Sequence, residues 1–402
     1  MRDVLGSGNQ SSVREFAEAV DRAGDPALAL TARFMSAAQC RDSGRLKAII
    51  ESGGVDLIRS DAALHYALVV SLCWTIGLDG ARAEIIRLSG QDLGALPADW
   101  RANASHLLGF VRLLGDCAAQ ITCEGESQAD FLQDQPIPVI RASVNGQPEA
   151  LFIVDTGAPT TVLDRQYAIA SGVRFDMDNP KIAQDGAGNR IPLYPAVLDC
   201  LKVARAVAQH CPVHVMDFGD RMHVQGILSP LDSFSGLLIE FDFINHLLRM
   251  APAEQFPEWE GVAGPGISSQ NLIWNEGSPS VPVRLLSRIE AKFLVDTGAG
   301  ANIICFELAR ELGLKPNSQG VVKGPTAAGE MPVYPLVSGE LAIADSCEVA
   351  VPFMVNECPE TVVRVFPRMK DGYLGVPWFQ GRRVTFSPDA RTMFFTPRIS
   401  LS

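Results

Sequence analysis

The rhythm of apolar residues changes partway along this chain. Over residues 1–130 they recur at spacings of three and four, as in Val13, Phe16 and Val20, and again in Leu64, Ala67, Leu68 and Leu72. That is the rhythm of helices with one buried stripe. Asp25 with Pro26 behind it reads as a cap and a first-turn proline. Gly53-Gly54, residues 77–80 and Pro97-Ala98-Asp99 read as breaks. The stretch therefore predicts a domain of antiparallel helices, and no cluster in it points to chemistry.

Beyond residues 125–138 the pattern becomes short alternating runs between Gly and Pro, which predict strands. Ile137-Pro-Val-Ile-Arg-Ala-Ser-Val, then Asn145-Gly146, then Leu151-Phe-Ile-Val reads as a hairpin with an Asn-Gly turn. From here the chain repeats itself. Phe152-Ile-Val-Asp-Thr-Gly-Ala recurs as Phe293-Leu-Val-Asp-Thr-Gly-Ala, and Ile191-Pro-Leu-Tyr-Pro recurs as Met331-Pro-Val-Tyr-Pro, at nearly the same offset. Each Asp-Thr-Gly follows an apolar strand and precedes a short helical pattern, residues 164–171 or 306–312. Each helix ends at a glycine, Gly172 or Gly313. Each copy closes with a glycine-led apolar run and a strand pair, and residues 252–280 read as the link. Three units are expected: helices over 1–130, a first mainly β lobe over 131–255 and a second over 256–402.

Two matched Asp-Thr-Gly triplets suit one chemistry. Peptide hydrolysis without a metal or cofactor needs one group to take a proton from water and another to give one to the scissile carbonyl. Two carboxyl groups sharing a proton do both, and they titrate as a pair. The apolar strands deliver Asp155 and Asp296 to a dry site. The Thr156 and Thr297 hydroxyls can reach the opposite lobe's backbone. Gly157 and Gly298 allow backbone N–H groups to approach the carboxylates.

With those residues in view, each copy resembles the retropepsin-like aspartic protease family, particularly its bacterial members, over about residues 135–400. The resemblance implies two acid-protease-barrel lobes fused as a pepsin-like pseudo-dimer. It implies an endopeptidase in which Asp155 and Asp296 activate a water, supported by Thr156, Gly157, Ala158, Thr297, Gly298 and Ala299. Ala158 and Ala299 stand where pepsins usually carry a hydroxyl, which implies a pH optimum milder than pepsin's. Flaps are implied at 184–190 and 325–330, with Gly186, Gly188, Ala328 and Gly329 as candidate flap residues. The family's apolar-apolar-Gly element matches Tyr373-Leu374-Gly375, but the first copy has Ile227-Leu228-Ser229. Ser229 predicts a distorted first lobe. Two alternatives stay open: a peptide-binding module that no longer cuts, or lobes that pair only between chains.

Composition narrows the partners. Apolar residues make up 47% and charged residues 20%, so the chain is a globular one. A formal net charge of −12 argues against nucleic acid and leaves a peptide or protein as substrate. The apolar stretch 62–77 is too short to span a membrane, and the N-terminus shows no signal peptide. Nine scattered cysteines fit free thiols, hence a cytoplasmic expectation, or a periplasmic or secreted one if a signal peptide was trimmed. His210, Cys211, His214 and His223 lie close in sequence and have zinc-binding chemistry, but lone side chains on strands are the commoner case; no metal is expected. The helical domain reads as a substrate receptor, an inhibitory lid or a spacer, with a partner of its own in the first case.

Overall fold

The computed structural model describes residues 26–51, 55–132, 135–185, 188–219, 222–286, 289–314, 322–326, 330–335, 339–343, 346–356 and 371–399. The expected helices around Val13, Phe16 and Val20, and Asp25 itself, lie outside them. A helical N-terminal region is followed by two mainly β lobes.

Among the described residues five helices form the N-terminal region: α1 (Pro26–Gln39), α2 (Ser43–Glu51), α3 (Val55–Arg59), α4 (Ala62–Ser89) and α5 (Ala98–Leu114). They enclose their own core, with Phe34, Leu46, Ile58 and Leu68 at its centre. The break expected at residues 77–80 falls at Gly77, where the backbone leaves the helical conformation and divides α4 into two helical stretches. Gly77 takes φ 75°, which glycine adopts without strain, and α4 kinks and continues. Asp61 caps α4, its carboxylate accepting from the N–H groups of Ala63 and Leu64. Taken across the kink, α4 spans 28 residues and is long and apolar enough by length and composition to cross a membrane, while the apolar stretch expected over 62–77 ends at the kink. In this fold its Tyr66–Leu72 segment is buried in the helical core.

Each lobe is organised around its triplet in the same way. In the first, strand Gly226–Leu228 runs parallel to Ala150–Val154 and antiparallel to Val162–Asp164. In the second, Gly372–Leu374 runs parallel to Ile289–Val295 and antiparallel to Ile303–Cys305. The alternation within Ala150–Val154 sends Phe152 and Val154 into the core, so Asp155 emerges on the opposite face. Phe293 and Val295 do the same for Asp296. The expected Asn-Gly turn is present, with φ 50° at Asn145 and 73° at Gly146. The two short helices appear as Arg165–Ala170 and Phe306–Glu311. Each gives way to a glycine at positive φ, Gly172 or Gly313.

The closing strand pairs do not stay within their own lobes. Leu238–Asp242 pairs with Arg383–Phe386, placing Glu240 opposite Thr385 and Phe241 opposite Val384. Among the described residues this makes a six-stranded sheet shared by both lobes. Glu240 is fully buried there and accepts hydrogen bonds from Arg249, Trp259 Nε1 and Thr385 Oγ1 at 2.7, 2.8 and 2.8 Å. The segment expected as a link is itself structured. It holds Trp259, buried over that sheet, and strand Ser268–Asn271, which extends the sheet beside Thr392–Phe395.

Candidate active site

The two triplets meet at the seam between the lobes, and each holds the other. Thr156 Oγ1 donates to the carbonyl of Val295 at 2.7 Å, and Thr297 Oγ1 donates to that of Val154 at 2.7 Å. The N–H of Thr156 donates to Thr297 Oγ1 at 3.1 Å, and the N–H of Thr297 donates to Thr156 Oγ1 at 3.1 Å. Both threonines are buried, at 1% and 0% exposure. These four reciprocal bonds follow the pseudo-twofold symmetry of the repeat, at about 1 kcal/mol each by ordinary hydrogen-bond energetics.

The carboxylates lie over this crossing. Asp155 Oδ1 accepts from the N–H groups of Gly157 at 2.7 Å and Ala158 at 3.1 Å. Asp296 Oδ1 accepts from the N–H of Gly298 at 2.9 Å. The two carboxyl groups are hydrogen-bonded to each other, and the N–H of Gly298 also reaches Asp155. Burial pushes the Asp155 carboxyl above the usual carboxylate range. The bond to Asp296 and those from the backbone of Ala158, Gly157 and Gly298 act the other way without offsetting it. A Cβ on Gly157 would sit 2.5 Å from the Asp296 carboxyl carbon, and one on Gly298 would sit 2.5 Å from that of Asp155. Only glycine permits this approach.

Behind each carboxylate the lobes use different atoms for the same bonds. In the second lobe the N–H of Gly375 donates to Asn302 Oδ1 at 2.9 Å, and the N–H of Val376 donates to the carbonyl of Ala299 at 2.8 Å. In the first lobe the N–H of Ser229 donates to Thr161 Oγ1 at 2.9 Å, and Ser229 Oγ donates to the carbonyl of Ala158 at 2.8 Å. Pro230 follows Ser229 and has no N–H to give. The serine hydroxyl therefore takes the place of the missing backbone donor. The distortion expected at Ser229 is not present: the residue is 2% exposed and its bonds match those of the other lobe.

Over the cleft, strand Lys181–Gln184 and the start of Arg190–Val203 form one hairpin, and Val322–Pro325 with Glu330–Pro335 forms its counterpart. Gly188 lies in the first connection with φ 84°. Gly186, Ala328 and Gly329 lie outside the described residues. The hairpins touch, with Thr326 Oγ1 donating to Asp185 Oδ2 at 2.7 Å. The first is also braced from below, where Arg190 pairs with Asp99 of α5 at 2.7 Å.

Asp185 and Thr326 fall within the expected flap segments, whereas sequence reading missed Thr161, Asn302 and Ser278, whose hydroxyl donates to the carbonyl of Gly157 at 2.8 Å. Thr161 and Asn302 carry a signal, since they occupy matched places in the two copies, as Asp185 and Thr326 do. Of the zinc-like cluster, Cys211 lies 3.6 Å from Ser233 Oγ, and His214 stacks on His106 of α5. Among the described residues no group of three potential metal ligands forms.

The aspartyl protease family model matches the chain twice, over residues 140–229 and 281–378. Each match contains one triplet. Among solved structures the chain is similar to the aspartic proteinase from Irpex lacteus, with 9% identity and a TM-score of 0.42, covering 68% of this chain and 97% of that one. No curated protein matches it in sequence.

Proposed function

We propose that this chain, whose two lobes are of the aspartyl protease family, is an aspartic endopeptidase with one complete two-carboxylate site. The observation that carries the reading is the pair itself. Asp155 and Asp296 share a hydrogen bond above four reciprocal threonine bonds. The raised Asp155 value favours a proton held on the pair into mild acid.

A peptide lies across the cleft beneath the two hairpins. The ionised carboxylate takes a proton from a water, and the protonated one gives its proton to the scissile carbonyl oxygen. Attack by the water oxygen makes a tetrahedral diol, and return of a proton to the amide nitrogen lets the amine leave. The N–H groups of Gly157, Ala158 and Gly298 hold the carboxylates in register without titrating. The hydrogen bonds at Ser229, which match those of the other lobe, support a working first lobe over a binding module that has lost cleavage.

Asp296→Asn is the test. It is expected to reduce hydrolysis of a peptide library by roughly 10³-fold or more, with the urea midpoint little changed. Retained cleavage in a folded Asp296→Asn chain would reject the assignment.

A further inference from the structure

The helical domain and the first lobe leave a space between them. A cavity of about 320 Å³ lies among α4, α5, strand Ala206–Met216 and helix Pro230–Ser233. For comparison, an apolar cavity of about 150 Å³ admits benzene, and small-molecule sites begin near 300 Å³. The mouth is lined by Ile76, Gly77, Ala119, Gln209 and Ser235, all exposed, beside the kink in α4.

The polar lining can be assigned atom by atom. His106 Nδ1 lies 3.0 Å from the carbonyl oxygen of Asn179, which only accepts, so Nδ1 carries the hydrogen. Burial, with Lys181 nearby, holds both His106 and His214 well below the usual imidazole range, so both are neutral at neutral pH. His106 then offers a lone pair at Nε2, and His214 Nε2, 2.9 Å away, donates to it. That leaves His214 Nδ1 as an acceptor. His214 is 3% exposed, and Nδ1 has no partner among the described residues. The buried Trp74 Nε1–H, a donor, has none either. Lys181, Asp232 and Asp79 also line the cavity. Lys181 and Asp232 are opposite in sign, Asp232 bonds to the Thr160 side chain and lies near Arg41, and Asp79 is paired with Arg82 at 3.0 Å, so the lining asks for no net charge.

We propose that this cavity binds a small uncharged organic molecule with an apolar body, one donor for His214 Nδ1 and one acceptor for Trp74 Nε1. A hydroxyl supplies both functions. A buried acceptor and donor left unmet are costly, and an apolar wall alone would not select for the group that meets them. The site also touches the proposed catalytic machinery, through Thr160 just beyond the first triplet loop and Lys181 on the first hairpin. Binding nevertheless stands or falls independently of peptide cleavage.

The full-length protein titrated with p-cresol and with p-xylene tests this, since the two share a shape and differ in a hydroxyl. The indole N–H resonance of Trp74, assigned with Trp74→Phe, is followed by nitrogen-15 NMR. A saturable shift is expected with p-cresol at roughly tenfold tighter affinity than with p-xylene. Ala119→Trp, at the exposed mouth, should abolish the shift while leaving the circular dichroism unchanged. His214→Phe should bring the two affinities together. Equal affinity of the two probes for the unaltered chain, no saturable shift with either, or unchanged p-cresol binding to Ala119→Trp would each overturn the proposal. Ala119→Trp and the probe pair keep the test decisive if His214→Phe does not fold.

Discussion

In the second lobe the carbonyl of Ala299 accepts from the backbone N–H of Val376; in the first, the matching carbonyl of Ala158 accepts from the hydroxyl of Ser229. Asn302 and Thr161 play matched parts beside them. The carboxylates these bonds support each accept from the glycine N–H of their own triplet. The geometry is what the two lobes share, and each reaches it with the donors its own sequence supplies. A residue that departs from a motif is therefore judged with its neighbours: Ser229 looks like a defect alone and a compensation beside Pro230.

The largest effect expected is loss of chemistry. Asp155→Asn and Asp296→Asn should each reduce hydrolysis by roughly 10³-fold or more, because either change removes half of a shared acid–base pair. A lobe whose Asp could be replaced with only a tenfold loss would break the equivalence.

Next come the positions behind the carboxylates. A Cβ at Gly375 would lie 2.2 Å from the carbonyl oxygen of Ala301, a backbone atom with little room to yield. Gly375→Ser should cost on the order of 3 kcal/mol or more in urea unfolding. Ser229→Gly should cost only about 1 kcal/mol, the worth of one hydrogen bond. Adding Pro230→Val to Ser229→Gly restores a backbone donor in the manner of Val376 and should recover most of that loss. A double-mutant cycle with no recovery would refute the compensation.

The threonines should behave symmetrically. Thr156→Val and Thr297→Val each remove a buried hydroxyl that both donates and accepts across the seam, so similar losses of about 2–3 kcal/mol are expected. Unequal losses in urea unfolding would show one lobe depending on the other more than the bonds suggest.

The shared proton sets the pH dependence. Burial raises the Asp155 carboxyl, so the folded chain favours its protonated form. That contribution to stability is full in acid and is lost as pH rises from the ordinary carboxylate range through the raised value. Activity, which needs one proton on the pair, should fall as pH rises through the raised value, with an optimum above about pH 4. Asp155→Asn should flatten the stability profile there.

The smallest effect is expected at the hairpin tips. Thr326→Val removes the donor to Asp185 and should raise KM by roughly 2–5-fold with kcat little changed, as one polar contact between two surface hairpins would.

Much of this was legible in the sequence, and the limit is instructive. The triplets, the hairpin turn and the two short helices follow from local residue order, so the repeat exposes them. The sheet shared by the lobes rests on Glu240 facing Thr385, and strand pairing across that span leaves no local mark. Residues 252–280 read as a link because they are rich in Pro and Gly. Trp259 docks there only once Glu240 is in place to accept its indole N–H. The same holds for His106 and His214, whose contact joins two domains. The break at Gly77 was legible because a glycine takes the positive φ that interrupts α4.

The central claim is that one chain holds a complete site, and mixing tests it most directly. Folded Asp155→Asn and Asp296→Asn chains are combined in equal amounts, and hydrolysis is followed beside the unaltered protein over a range of dilutions. The mixture should stay as inactive as either variant, and the activity per unaltered chain should not change with dilution. Activity recovered in the mixture, or lost by the unaltered protein on dilution, would mean that the two carboxylates come from different chains.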